Sequence, residues 1–306
     1  MTGAAALVVH AALLLSCAPL LAGVWALILA RLSGCSGPPL LQPWRDLLRL
    51  ARKQPVLPDT TSRLFAAVPF MCLAVLVTAA LLVPSFTLGM ATAPLADLFV
   101  LGGLLAADRY ALALAGYDTG TAAGGVGASR ITRAEVWTSP AVALIVLALA
   151  LLAGTSNLDA VMAALRDETQ STPAPLLLAA GASAIVGLVS MGGVRGALLA
   201  SSQDTAVLDY SGRYLAVVTY AGHLRSLVWL SLLALFLPFG LAPDGAGPLA
   251  WIIGIAAWGV KIGVLIFGAA VLEAVGIPSR VTQALGMAAV LALAAVAYVF
   301  ATQVPA

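Results

Sequence analysis

LAGYDTGTAAGGVGASR, residues Leu114–Arg130, is the stretch on which the fold turns. Five glycines fall within twelve residues: Gly116, Gly120, Gly124, Gly125 and Gly127. Asp118 stands near its front and Arg130 closes it. A glycine-rich segment beside a helix raises the question of phosphate. A P-loop needs GxxxxGK followed by Ser or Thr, and this stretch holds no lysine. A dinucleotide fingerprint needs GxGxxG after a strand. Here the last position is Arg130 and an apolar, helix-like run comes first. Gly116, Gly120 and Gly124 recur every four residues, which on a helix makes a smooth ridge for close approach. Gly125 and Gly127 predict a tight loop with φ values that favour glycine.

Composition decides the broad class. The chain has 306 residues, 62% of them hydrophobic and 9% charged, where soluble domains carry about 25%. Its mean hydropathy is +1.05. Such a chain cannot cover a water-facing surface, so it is an all-α integral membrane protein. The formal charge of +2 and the absence of a basic tract give no support to a nucleic-acid partner. Cys17, Cys35 and Cys72 form no CxxC pair, and His10 and His223 are the two histidines. An iron–sulfur cluster or structural zinc takes about four soft ligands, so this chain alone is expected to hold neither, and two histidines argue against a haem or di-metal site. No Ser-His-Asp order, HExxH or EF-hand loop is present, so hydrolytic catalysis by this chain alone is not expected.

A spanning helix needs about 20 apolar residues. Eight candidates follow, at about Ala5–Leu29, Leu64–Val83, Leu95–Gly116, Pro140–Ala153, Pro175–Met191, Leu224–Leu241, Trp251–Leu272 and Gln283–Ala301. The first has no basic n-region and is too long for a signal h-region, so it reads as a retained span. The whole chain, 1–306, reads as one polytopic domain. Thirteen bases fall on one face of this topology, in or beside the odd-to-even loops, and Arg166 alone on the other. That count includes Arg109 inside the third span and Arg225 at the edge of the sixth. The positive-inside rule then puts the loops at about 31–63, 117–137, 192–223 and 273–282 in the cytoplasm and both termini outside the cell inner membrane. These loops are also long, and long loops carry function more often than short connections do.

Three further features stand out. In WRDLLRLARK, Trp44, Leu47, Leu48 and Ala51 share one side of a helix and Arg45, Asp46, Arg49, Arg52 and Lys53 the other. That is an amphipathic helix on the membrane surface, either an anchor to lipid or a dock for a soluble partner. The segment Ser201–Ser226 holds Asp204, Asp209 and Arg213. Its carboxylates either relay protons or cap helices and pair with arginines. Lys261 falls mid-helix, with Glu273 twelve residues later near the inner end. A charge at the bilayer centre costs roughly 2.5–3.5 kcal/mol, so each must face a cavity or a partner. Asp108 and Arg109 lie within the third helix and should point into the bundle. Asp97 is eleven residues from Asp108, about 16 Å along a helix, so the two are no catalytic pair.

GCSGPPLLQPWRDLLRLARK, RYALALAGYDTGTAAGGVGASR (Arg109–Arg130) and VLDYSGRYLAVV (Val207–Val218) occur in this order, with Lys261, Glu273 and IPS (Ile277–Ser279) after them. Together they resemble the formate hydrogenlyase subunit 4 family, membrane-anchor subunits of group 4 NiFe hydrogenases. That family is in turn similar to subunit 1 of respiratory complex I. The resemblance covers nearly the full chain. It implies an electron-transport subunit without its own redox centre, whose cytoplasmic loops hold an iron–sulfur small subunit and a hydrogenase-like large subunit. The iron–sulfur clusters and NiFe-type centre sit in those partners. Antiporter-like membrane subunits would adjoin it in the lipid bilayer. Docking then falls to Trp44, Arg45, Asp46, Asp118, Arg130, Asp209 and Arg213, with Asp118 and Arg130 pinning the glycine loop. A proton path falls to Asp108, Asp209, Lys261 and Glu273.

The chain departs from the family pattern at four positions. Ile131 follows SR where the family often has Glu, and Ser139 stands where a second Glu is common before the proline. Asp209 replaces the Glu before YSG, and Thr219 stands where the respiratory relatives carry another Glu. Docking survives these losses better than proton coupling does. Two alternatives remain: a quinone-binding subunit of complex I type, and a stand-alone secondary transporter with Lys261 at a midplane site. No clear internal repeat supports the transporter.

Overall fold

The computed structural model describes residues 2–58, 60–164, 173–191, 207–237, 240–242, 247–275 and 281–303. Among them are ten α-helices: α1 Thr2–Leu32, α2 Gln42–Ala51, α3 Arg63–Leu82, α4 Leu98–Asp118, α5 Ala122–Ala153, α6 Leu158–Ala164, α7 Pro173–Ser190, α8 Gly212–Leu235, α9 Pro248–Val275 and α10 Val281–Gln303. Seven are long and apolar enough to cross a membrane. The shorter α7 has 18 residues, about 27 Å of helix. The protein is an all-α, multi-pass membrane protein with about eight spans. Of the expected loops, 192–206 and 276–280 lie outside the described residues, as do Arg166, Arg195, Asp204 and Arg280.

Local chemistry sets most helix starts. Ser62 caps α3, Asp97 caps α4 through the Phe99 and Val100 amides, and Thr121 caps α5 through the Gly124 amide. Gly154 ends α5 in the left-handed region at φ +70°. Pro19, Pro69 and Pro140 sit inside α1, α3 and α5. Such prolines are tolerated in spanning helices because neighbouring groups satisfy the freed carbonyls.

Two boundaries differ from expectation. The segment 117–137 is not a glycine loop: α5 begins at Ala122 and runs 32 residues through Pro140. At 1.5 Å per residue α5 is about 48 Å long, well beyond a ~30 Å hydrocarbon core. Gly125 and Gly127 are helical, and only Gly120, between α4 and α5, has a positive φ of 65°. The sixth span starts at Gly212, not Leu224, and ends at Leu235. Its half-polar first turns are sheltered by α1, α2 and α3, so hydropathy understates it.

α3 packs between α4 and α8, and α8 also meets α1, α2, α7 and α9. Phe65, Val68, Leu76, Leu224 and Leu227 are fully buried there. Ile252, Val260, Val264, Phe267, Met287, Val290 and Leu293 are exposed on the outward faces of α9 and α10, as lipid requires. At the Asp97 end, the Leu98 and Leu158 amides donate to Ser156 and Ala96 carbonyls, at 3.0 and 2.7 Å. The opposite end carries 52–62, the α4–α5 junction and 207–211.

Candidate functional site

The bundle holds a buried ionic quartet. Arg225 of α8 donates to Asp108 of α4 at 2.5 Å, and Arg109 of α4 donates to Glu135 of α5 at 3.1 Å. None of the four is more than 4% exposed. Two cations and two anions cancel, as burial in a low dielectric demands. Asp108 and Arg109 do point into the bundle. Arg225 and Glu135 were not among the expected site residues. Arg225, one of the thirteen bases on the face expected to be cytoplasmic, is mid-helix on α8. Taking it and Arg109 out of the thirteen leaves eleven, so the charge bias stands. Glu135 was hidden by the reading of 117–137 as a loop. Helical spacing exposes it: Ile131, Glu135 and Ser139 are successive i, i+4 positions on one face.

Three segments are tied together at the end opposite Asp97. Asp118 accepts from the Ser62 amide and hydroxyl, both at 2.9 Å. Thr121 donates to Asp209 at 2.7 Å, and Thr60 donates to the Thr119 carbonyl at 2.9 Å. Ser211 accepts from the Val56 amide and donates to the Val56 carbonyl. Tyr210 donates to the Phe65 carbonyl and stacks on its ring at 4.0 Å between centroids. Gly124 makes the junction fit, because a Cβ there would come within 2.6 Å of the Gly116 carbonyl and 2.9 Å of Asp209. So Asp118 and Asp209 hold the junction, whereas Arg130 lies exposed on α5 and pins no loop. Arg213 is exposed beside Tyr214, its guanidinium carbon 5.9 Å from the ring centre.

On α2, Trp44 is half-buried 6.4 Å from the Tyr220 ring, and Asp46 pairs with Arg49 at 3.1 Å. Arg45 faces out. Leu47 is buried but Leu48 is 55% exposed, so the apolar face is narrower than expected. Lys261 is buried and donates to the Ala234 and Leu237 carbonyls at 3.3 and 2.9 Å. It thus caps the C-terminal end of α8, where a cation suits the helix dipole. Glu273 accepts from the Trp25 indole at 3.2 Å. Twelve residues of helix, about 18 Å, separate it from Lys261. His10 is buried and satisfied by Ser85 at 2.7 Å and the Ala80 carbonyl at 3.0 Å. Among the described residues no cluster suited to a metal ion occurs.

The profile of the family described as NADH dehydrogenase matches residues 4–303. The chain belongs to that family. Among the relatives of this NADH dehydrogenase family member, formate hydrogenlyase subunit 4 of Escherichia coli (strain K12) is 31% identical over 263 residues, 84% of this chain and 86% of the relative. Hydrogenase-4 component C of the same organism is 32% identical over 239 residues, 77% and 76% of the two chains. A chain in the structure of the membrane-bound sulfane sulfur reductase, an archaeal respiratory membrane complex, shares the fold, with a TM-score of 0.74. It covers 96% of this chain and 99% of its own length at 17% identity.

Within the family fold, a cavity of about 190 Å³ opens beside the Arg109–Glu135 pair, lined by α4, α5, Ser190 of α7 and Trp229 of α8. A far smaller one, about 20 Å³, lies by Trp25, His223 and Ser226.

Proposed function

We propose that the protein is a membrane subunit of a respiratory-type complex, and specifically the anchor subunit of a hydrogenase- or formate-hydrogenlyase-like oxidoreductase. It docks an iron–sulfur small subunit and a hydrogenase-like large subunit, which carry the redox centres, and adjoins antiporter-like membrane subunits. The observation that carries this reading is the platform built by 53–62, the α4–α5 junction and 207–211, cross-tied through Asp118, Asp209 and Ser211. A pre-ordered polar surface at the basic end of a membrane bundle suits a soluble partner. The excess of bases there supports a cytoplasmic placement of that end at the plasma membrane, with both termini outside. Arg45, Arg130 and Arg213 are exposed on it and free to meet acidic groups of a partner.

Proton transfer is the second part of the proposal. Asp209 at the platform and Asp108 and Glu135 in the quartet place carboxylates at the surface and mid-span. Glu135 stands one turn from both Ile131 and Ser139, so it restores a carboxylate to a face where two were missing. Lys261, as a helix cap, fits this path less well.

A mild-detergent pulldown of the tagged chain from its native membrane, read by mass spectrometry, tests the anchor reading. Recovery with an iron–sulfur subunit and a hydrogenase-like large subunit is expected. A chain that purifies alone as a homogeneous particle overturns it and favours transport.

A further inference from the structure

We infer that the cavity beside Arg109 and Glu135 is a hydrated vestibule, filled from the Asp97 end of the bundle and closed toward the docking platform. It gives the quartet aqueous access from one side only. This deepens the proton-path reading and rests on it for its purpose.

The floor of the cavity is polar. Arg109, Glu135, Thr138, Ser139 and Ser190 meet there. Among the described residues, Arg109 Nη1 and Thr138 Oγ1 are buried with no hydrogen-bond partner, and their residues are 4% and 5% exposed. A buried guanidinium N–H left without an acceptor is costly. Arg109 also lines the cavity, and an occupant that accepts from it relieves that cost. The occupant must also sit beside the Glu135 carboxylate, which repels an anion, and beside Arg109, which repels a cation. A small neutral molecule that both accepts and donates meets all three demands, and water is that molecule. A volume of about 190 Å³ has room for several waters.

The direction follows from the walls. From Arg109 the cavity climbs α4 to Leu98, eleven residues or about 16 Å toward the Asp97 end. Gly102, Gly103 and Ala106 of α4 and Ala143 of α5 line it with small side chains. Gly103 is exposed, and a Cβ there would meet nothing within 4 Å, so the cavity also opens sideways between α4 and α5, within the span. Toward the platform the next turn is sealed. Leu112, Ala128 and Ile131 are each no more than 1% exposed. Water thus reaches the pair from one end, and the apolar turn at Leu112, Ala128 and Ile131 is the step that a proton path from Asp209 to Glu135 has to cross.

Cysteine labelling in sealed vesicles of the native complex tests this. Ser139→Cys is placed in a chain whose Cys17 and Cys72 are replaced by Ala, so that exposed Cys35 marks the platform end. Ala91→Cys in the same background marks the Asp97 end. A hydrophilic, membrane-impermeant maleimide should consume the Ser139→Cys thiol from the side that labels Ala91→Cys and not from the side that labels Cys35. Ala143→Cys, one turn nearer the mouth, gives the same readout if the Ser139 variant does not assemble. Reaction from the Cys35 side overturns the inference. Reaction with a membrane-soluble maleimide alone also overturns it, because an acyl chain then fills the crevice. Failure of both reagents does so too. The labelling pattern is independent of which soluble partners co-purify, so loss of the anchor reading would leave it intact.

Discussion

Asp108 and Arg109 are neighbours on α4 and point about 100° apart, so one reaches α8 and the other α5. That simple geometry ties three helices with two ion pairs. Removing one partner of a buried pair strands the other charge, at a cost of about 3–5 kcal/mol. Arg225→Ala should therefore lower the thermal midpoint in detergent sharply. The double variant Asp108→Asn, Arg225→Gln should recover part of that loss, because it leaves no charge unpaired. A midpoint for the double variant below that of the single one would show that the pair is not the unit. Glu135→Gln keeps the shape of its pair with Arg109 but removes the carboxylate. If Glu135 relays protons, the assembled complex keeps its electron transfer and loses proton movement, read as vesicle acidification per electron.

At the scale of elements, the α4–α5 junction depends on one glycine and not on its neighbour. Gly124→Ala would press on the Gly116 carbonyl and Asp209, whereas Gly125 has open space around it. Ala favours helix over Gly by about 1 kcal/mol. Gly125→Ala should be neutral or mildly stabilising and Gly124→Ala destabilising, a contrast that thermal unfolding of the pair would check. The start of α4 carries the pH dependence. The Ser156 hydroxyl chiefly, with the Phe99 and Val100 amides, holds the Asp97 carboxyl below its ordinary value. A lowered folded-state value means that its stabilisation is present above the usual carboxylate pKa of about 3.9. It is lost as pH falls through the folded value. Asp97→Asn keeps a capping side chain but not the charge. Its stability deficit should shrink on acidification until the two proteins' midpoints converge.

Over the whole molecule, polar chemistry is divided by depth. Exposed bases and cross-tied loops occupy one end, the neutral quartet sits mid-span, and lipid-facing apolar side chains cover α9 and α10. Charge reversal at the platform should therefore act on assembly and not on the bundle. Arg130→Glu with Arg213→Glu is expected to leave the stability of the chain within about 1 kcal/mol of the parent, as exposed substitutions do. The same pair should reduce the redox subunits recovered in a pulldown. Unchanged recovery would move the docking surface away from these two arginines.

The sequence alone determined the membrane class, the span count and the charge bias, because hydropathy and the placement of Lys and Arg act locally and need no partner. It also showed that Asp108, Arg109 and Lys261 must turn inward, since lipid cannot solvate them. It could not show where they turn. Lys261 found the carbonyl end of α8, and Glu135 emerged only once 117–137 proved helical, because a glycine-rich segment is helical or looped according to what packs on it. Gly124 is held in α5 by the end of α4, a contact between chain segments that no local pattern encodes. The cavity beside Arg109 and Glu135 is likewise a property of four helices together. Which polar groups are partnered, and which are left for water, depends on distances across the bundle, and those exist only in the folded protein.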